Sequence, residues 1–178
     1  KLHQRGQGFL LESVEGGEHV GRYSFLGKDP FLVLRSAAGA VTVERAGETT
    51  TLEVPFASAL RSLMAEYRSP FVPGLPRFTG GAVGYLGYEA AAWFEPTAAR
   101  PDGATMPGDD AAFMLFDTVL AFDHVQHRII IIANARISGD EDLKALYQFA
   151  VAKIGFVERE LERPLSVPKT REDGPLVL

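Results

Sequence analysis

Residues 111–135 read AAFMLFDTVLAFDHVQHRIIIIANA. Two β-prone runs, Ala111 to Phe122 and Arg128 to Ala135, flank the polar stretch Asp123 to His127, and this pattern predicts a β-hairpin. Ahead of it, residues 97–110 carry two prolines and two glycines and read as a long exposed loop. Further upstream, Phe78 to Leu86 (FTGGAVGYL) is apolar but holds three glycines. It is either a strand with a bulge or a strand turning sharply into a helix. Tyr88 to Glu95 (YEAAAWFE) has the alanine content of a short helix, stopped by Pro96. After the hairpin, Ser138-Gly-Asp-Glu141 supplies acid for a first helical turn. Leu143, Leu146, Tyr147, Ala150, Val151, Ile154 and Val157 then fall on one side of a helix expected over 140–162, ended by Pro164 and Pro168.

The first half repeats the β theme. Gly8 to Val14 and Gly21 to Gly27 form a predicted hairpin around the turn residues Glu15 to Glu18. Phe31 to Ser36, Ala40 to Arg45 and Thr49 to Val54 are joined by Ala38-Gly39 and Ala46-Gly47, a meander. Pro55 suits the first turn of a helix over 56–68, with Phe56, Leu60, Leu63, Met64 and Tyr67 on one face. Hairpins outnumber strand-helix-strand crossovers, so the expected class is α+β: antiparallel sheets, sandwich-like, with a few covering helices.

Composition bounds the function. The chain has 178 residues, 46% hydrophobic and 23% charged, with a net charge of −5 and no cysteine. That is one ordinary globular domain without disulfides, thiolate metal sites or a cysteine nucleophile. The acidic balance provides no footprint for nucleic acid or anionic lipid, and no apolar run approaches the ~18–20 residues that span a bilayer. A cytoplasmic protein is expected. Lys1 in place of an initiator Met and the ending Pro-Leu-Val-Leu suggest a piece of something longer.

Catalytic signatures are missing. Gly84 is followed by Tyr85-Leu86 rather than the Lys-Ser/Thr of a phosphate loop, and the spacing of Gly80, Gly81, Gly84 and Gly87 does not fit a dinucleotide fingerprint. Those glycines are read as allowing close packing of sheet and helix, with Tyr85 and Tyr88 in or near the core. His124 and His127 are three apart in a predicted turn, with no third ligand nearby, so no metal site is expected. Ser13, Ser24 and Ser138 lack a nucleophile elbow. One constellation invites a ligand: Leu10-Leu-Glu-Ser13 beside Gly21-Arg-Tyr-Ser-Phe-Leu-Gly27. Glu12 could hold an ammonium, Arg22 or a backbone N–H a carboxylate, and leucine and phenylalanine an apolar side chain. The alternative is ordinary strand alternation with the polar members facing water.

The segments Phe9-Leu-Leu-Glu-Ser13, Gly21-Arg-Tyr-Ser-Phe-Leu-Gly27, Gly80-Gly-Ala-Val-Gly-Tyr-Leu-Gly-Tyr-Glu89, Phe116-Asp117 and Phe122-Asp-His124 resemble, in order, the amino-terminal region of anthranilate synthase component I, one of the chorismate-utilising enzymes. The likeness covers roughly residues 8 to 160. It implies an enzyme, a lyase, that converts chorismate and ammonia to anthranilate and pyruvate in tryptophan synthesis. Mg2+ serves the full-length protein, and a glutamine amidotransferase subunit supplies the ammonia. On this resemblance residues 1–163 form the amino-terminal domain and 164–178 a linker toward a chorismate-binding domain absent from the chain. The piece alone is then inactive, carries no catalytic residue and binds no metal. An apolar face is left where the other domain docks. Tryptophan, the feedback inhibitor, is implied at Leu11, Glu12 and Ser13, with Arg22, Tyr23 and Ser24 added from the neighbouring strand. The same region of aminodeoxychorismate synthase and a free-standing amino-acid-binding module remain as alternatives.

Overall fold

In a computed structural model of the chain, residues 6–12, 21–98 and 108–164 are described. The meander forms where the turns predict it. Strands β3 (Leu32–Ala37), β4 (Ala40–Arg45) and β5 (Glu48–Leu52) pair in sequence. Each connection is a two-residue turn with both residues at positive φ: Ala38 and Gly39 at 49° and 80°, Ala46 and Gly47 at 52° and 83°. That is the twist-matched hairpin turn, which sets the register Ala37↔Ala40 and Arg45↔Glu48. Helix α1 (Phe56–Glu66) follows Pro55 and buries Phe56, Ala59 and Leu63 on this sheet, against Leu32, Leu34, Val41 and Leu115. Leu60 and Tyr67 pack at the margin of that core, and Met64 is exposed.

Two sheets result, antiparallel throughout, with few helices: an α+β, sandwich-like arrangement. Strands β1 (Gly8–Leu11), β2 (Tyr23–Lys28), β8 (Thr118–Asp123) and β9 (Arg128–Ala133) form the first sheet, in that order. The second has the order β5-β4-β3-β7-β6, with β6 at Gly81–Leu86 and β7 at Ala111–Phe116.

The run 111–122, expected as one strand, is two strands in different sheets. The chain changes sheet at Asp117, where pairing with β3 and β6 stops and pairing with β2 and β9 starts. Polar contacts hold this corner. The Asp117 carbonyl accepts from the Asn134 amide N–H at 2.7 Å and from Asn134 Nδ2 at 3.2 Å, and the Asp117 carboxylate accepts from Thr118 Oγ1 at 2.8 Å and Lys153 Nζ at 2.6 Å. An aromatic cluster packs beside the corner, with Phe9 edge-on to Phe116 at 4.8 Å and Phe25 edge-on to Phe78 at 5.3 Å.

The glycine-rich segment is a strand, with a short 3-10 turn at Tyr88–Trp93 after it. Its glycines serve strand-to-strand approach. A Cβ on Gly84 would lie 2.6 Å from Phe113 Cα and against the Ala112 carbonyl. Tyr85, on the sheet's outer strand, is 52% exposed, and Tyr88, which opens the 3-10 turn beyond that strand, is 90% exposed, so neither is in the core as expected.

Helix α2 (Leu143–Glu162) begins at Asp142, whose carboxylate caps the amides of Lys144 and Ala145. Its main contact is β9 at the edge of the first sheet. A single edge strand covers only a narrow stripe of a helix, so Leu146, Ala150, Ile154 and Val157 turn inward while Leu143, Tyr147 and Val151 stay exposed, contrary to the broad face predicted. Residues 99–107 of the expected loop and 165–178 of the expected linker lie outside the described residues.

Candidate functional site

The predicted amino-acid edge lies in the first sheet. β1 pairs antiparallel with β2 from Gly8↔Lys28 to Leu11↔Phe25. Continuing that register places Glu12 across from Ser24, and strand alternation sets both on the face opposite Leu11, Tyr23 and Phe25. Leu11 and Glu12 are exposed at the strand end. Ser13 and the expected turn Glu15 to Glu18 lie outside the described residues.

The other candidates are held by partners a hundred residues away in sequence. Arg22 donates from Nε and Nη2 to the two carboxylate oxygens of Asp123, at 3.1 and 2.8 Å. Its guanidinium also stacks over Tyr23, 4.9 Å from the ring centre. Ser24 is buried, and its hydroxyl shares a 2.8 Å hydrogen bond with Nε2 of the exposed His124. These pairs exist because β2 runs antiparallel to β8, with Tyr23 opposite Asp123 and Ser24 opposite Phe122.

Asp123 is the keystone of that corner. It is 1% exposed, and it accepts from the amides of Val125 and Gln126 as well as from Arg22, with Arg128 3.8 Å away. The Arg22 hydrogen bonds hold its carboxyl well below the usual carboxylate range, and the two backbone amides add to that against the opposing effect of burial. Residue spacing alone carried no sign of these pairings; the Phe122-Asp-His124 motif was the available signal, and its histidine was weighed only as a metal ligand. Among the described residues no three metal-ligating side chains cluster. His127 sits at φ 50°, shaping the turn.

Two cavities lie elsewhere on the molecule, and neither is lined by Leu11, Glu12, Arg22, Tyr23 or Ser24. The larger, about 1070 Å³, is bordered by Phe31, Gly80, Asn134 and a trio in which Arg45 and Arg136 both donate to the Tyr67 hydroxyl, at 3.2 and 3.4 Å. The amino-acid edge lies outside both cavities, with Leu11 and Glu12 exposed on it.

No family model matches the chain. Among curated proteins, it is 39% identical over 155 residues to anthranilate synthase component 1 of Acetivibrio thermocellus, 86% of this chain and 31% of that protein. It is 40% identical over 159 residues to the component 1 protein of Streptomyces coelicolor, 88% of this chain and 26% of that protein. The chain is a relative of anthranilate synthase component I. It spans about a third of the length of the first of these relatives. The crystal structure of anthranilate synthase component I from Streptococcus pneumoniae TIGR4 shares the fold, with a TM-score of 0.63 at 22% identity, covering 86% of this chain and 34% of that one. No helix among the described residues is long and apolar enough to cross a membrane.

Proposed function

We propose that this chain is the amino-terminal, tryptophan-sensing part of an anthranilate synthase component I in the cytoplasm. That enzyme turns chorismate and glutamine-derived ammonia into anthranilate and pyruvate. The observation that carries the reading is 39% identity, over 86% of the chain, to a component 1 protein about three times as long. Chorismate and Mg2+ then belong to a chorismate-binding domain in cis, ammonia comes from a glutamine amidotransferase subunit, and this part alone turns nothing over.

The geometry suits a regulatory edge. Glu12 offers an exposed carboxylate for an ammonium, beside the exposed Leu10 and Leu11. Ser13 follows it directly in sequence. Arg22 and Ser24, tied to Asp123 and His124, fix the neighbouring strand beside it. An open half-site explains regulation physically. If a second domain completes the pocket, tryptophan binds one domain arrangement more tightly than another and shifts the equilibrium toward it. The exposed Leu143, Tyr147 and Val151 of α2, and Tyr85 and Tyr88 of the other sheet, are apolar surface available to such a domain.

The test uses a polypeptide in which this chain is followed by a chorismate-binding domain. Chorismate and ammonia should yield anthranilate, inhibited by tryptophan, while the 178-residue chain alone yields none. Ser13→Phe should keep turnover and lose inhibition. Continued sensitivity of that variant to tryptophan would refute the site, and aminodeoxychorismate as product would move the chain to the sister enzyme.

A further inference from the structure

In the reading above, Asp123 and His124 of the Phe122-Asp-His124 motif only hold Arg22 and Ser24, yet the structure builds around that motif. His124 is fixed at both ends. Its amide donates to the Arg22 carbonyl at 2.9 Å, and its ring shares the 2.8 Å hydrogen bond with Ser24 through Nε2. The Asp123 carboxylate pins the next two amides of the turn. Among the described residues the other ring nitrogen, Nδ1, has no hydrogen-bond partner. Of the pair, Ser24 is 6% exposed and His124 lies at the surface, so a ligand meets the imidazole first.

We infer that His124 is a ligand residue of the amino-acid edge, receiving the carboxylate of a bound α-amino acid while Glu12 takes its ammonium. Ser24 is its positioning residue. The Ser24 hydroxyl donates to Nε2, which leaves the proton on Nδ1, and Nδ1–H donates to the ligand carboxylate. The placement agrees with the strand order β1-β2-β8, with Ser24 standing between the strands that carry Glu12 and His124. Glu12 is in register with Ser24 and Ser24 with Phe122, so His124 lies two inter-strand spacings across the sheet and two residues along it from Glu12, ~12 Å between Cα positions, a gap that a glutamate, an imidazole and a zwitterion between them bridge. A ring already immobilised loses little further entropy on binding, which is why a buried anchor under an exposed imidazole favours recognition. This rests on the amino-acid-binding edge proposed above.

The experiment uses the polypeptide in which this chain is followed by a chorismate-binding domain, and follows its imidazole nitrogens by NMR during titration with tryptophan, tryptamine, which lacks the carboxylate, and indole-3-propionate, which lacks the ammonium. Tryptophan and indole-3-propionate should move the Nδ1 signal of His124, and tryptamine should not. His124→Ala should weaken tryptophan about tenfold and leave tryptamine unchanged. His124→Asn, whose side-chain amide reaches the Nδ1 position, should recover part of the loss. Ser24→Ala should weaken tryptophan less, and adding it to His124→Ala should cost nothing more. Wild-type affinity in His124→Ala, or an equal Nδ1 response to tryptamine, overturns the inference. If Glu12→Ala abolishes binding while His124→Ala does not, only His124 is wrongly assigned. If the wild type binds none of the three up to millimolar concentration, the amino-acid edge itself falls and His124 with it.

Discussion

Gly27→Ala should unseat the strand that carries Glu12. The Phe9 ring lies against Gly27, its cross-strand partner, and a Cβ there would sit 2.9 Å from Phe9 Cζ and 3.0 Å from Cδ1, with Cε1 closer still. Gly27 is buried, so the ring must move. Moving it breaks the edge contacts to Phe116 at 4.8 Å and Phe78 at 6.0 Å. Re-exposing a half-buried phenylalanine costs about 1–1.5 kcal/mol, and two aromatic contacts add roughly 1 kcal/mol. The total, about 2–3 kcal/mol, corresponds to a fall in Tm of roughly 5–10 °C for a chain of this size. Urea and thermal unfolding of the single variants and of Phe9→Ala/Gly27→Ala measure it. Without the ring there is nothing to displace, so the double variant should be no less stable than Phe9→Ala alone. Hydrogen exchange over residues 8–12 should accelerate in Gly27→Ala, and tryptophan affinity should fall with it. Additive losses in the double variant would refute the clash, and with it the account of why glycine stands at this position.

Ala38→Asn and Ala46→Asn, at φ 49° and 52° beside glycines with open space around them, should each stabilise the chain by about 0.5–1 kcal/mol in urea unfolding, because asparagine tolerates the left-handed region that alanine resists. Leu115→Ala, at a fully buried position where β7 pairs with both β3 and β6, should cost about 3 kcal/mol through the cavity it leaves. The carboxyl of Asp123 is lowered in the folded state from its ordinary value of 3.8, so its contribution is present above that pH and is lost as pH falls toward the depressed value. The stability advantage of wild type over Asp123→Asn should therefore be constant from pH 7 to 5 and shrink below pH 4; an advantage that grew on acidification would reverse the sign of the argument.

What could be read from the chain follows the range of the interaction responsible. The meander was legible because Ala-Gly turns and period-two runs act over a few residues, and α1 was legible because Pro55 and the spacing of Phe56 and Leu63 act over one or two turns. The sheet change at Asp117 was not, since an apolar run reads alike whether its two halves share a sheet or part company; Asn134 and Lys153, which hold the bend, lie 17 and 36 residues on. Tyr85 and Tyr88 went astray for a related reason. An aromatic residue is buried only if something covers it; Tyr85 lies on the outer strand β6, and Tyr88 in the turn that leaves the sheet after it. The candidate site divides along the same line. The polar pattern of Glu12, Arg22 and Ser24 was visible as residue types on two neighbouring strands, whereas the pairs that decide what each can do, Arg22 with Asp123 and Ser24 with His124, span 101 and 100 residues. A site residue can thus be named from local pattern while its role stays hidden. Residue type makes Ser24 a candidate contact; in the structure it is buried and hydrogen-bonded to His124, and on the inference above it acts as the anchor of that imidazole.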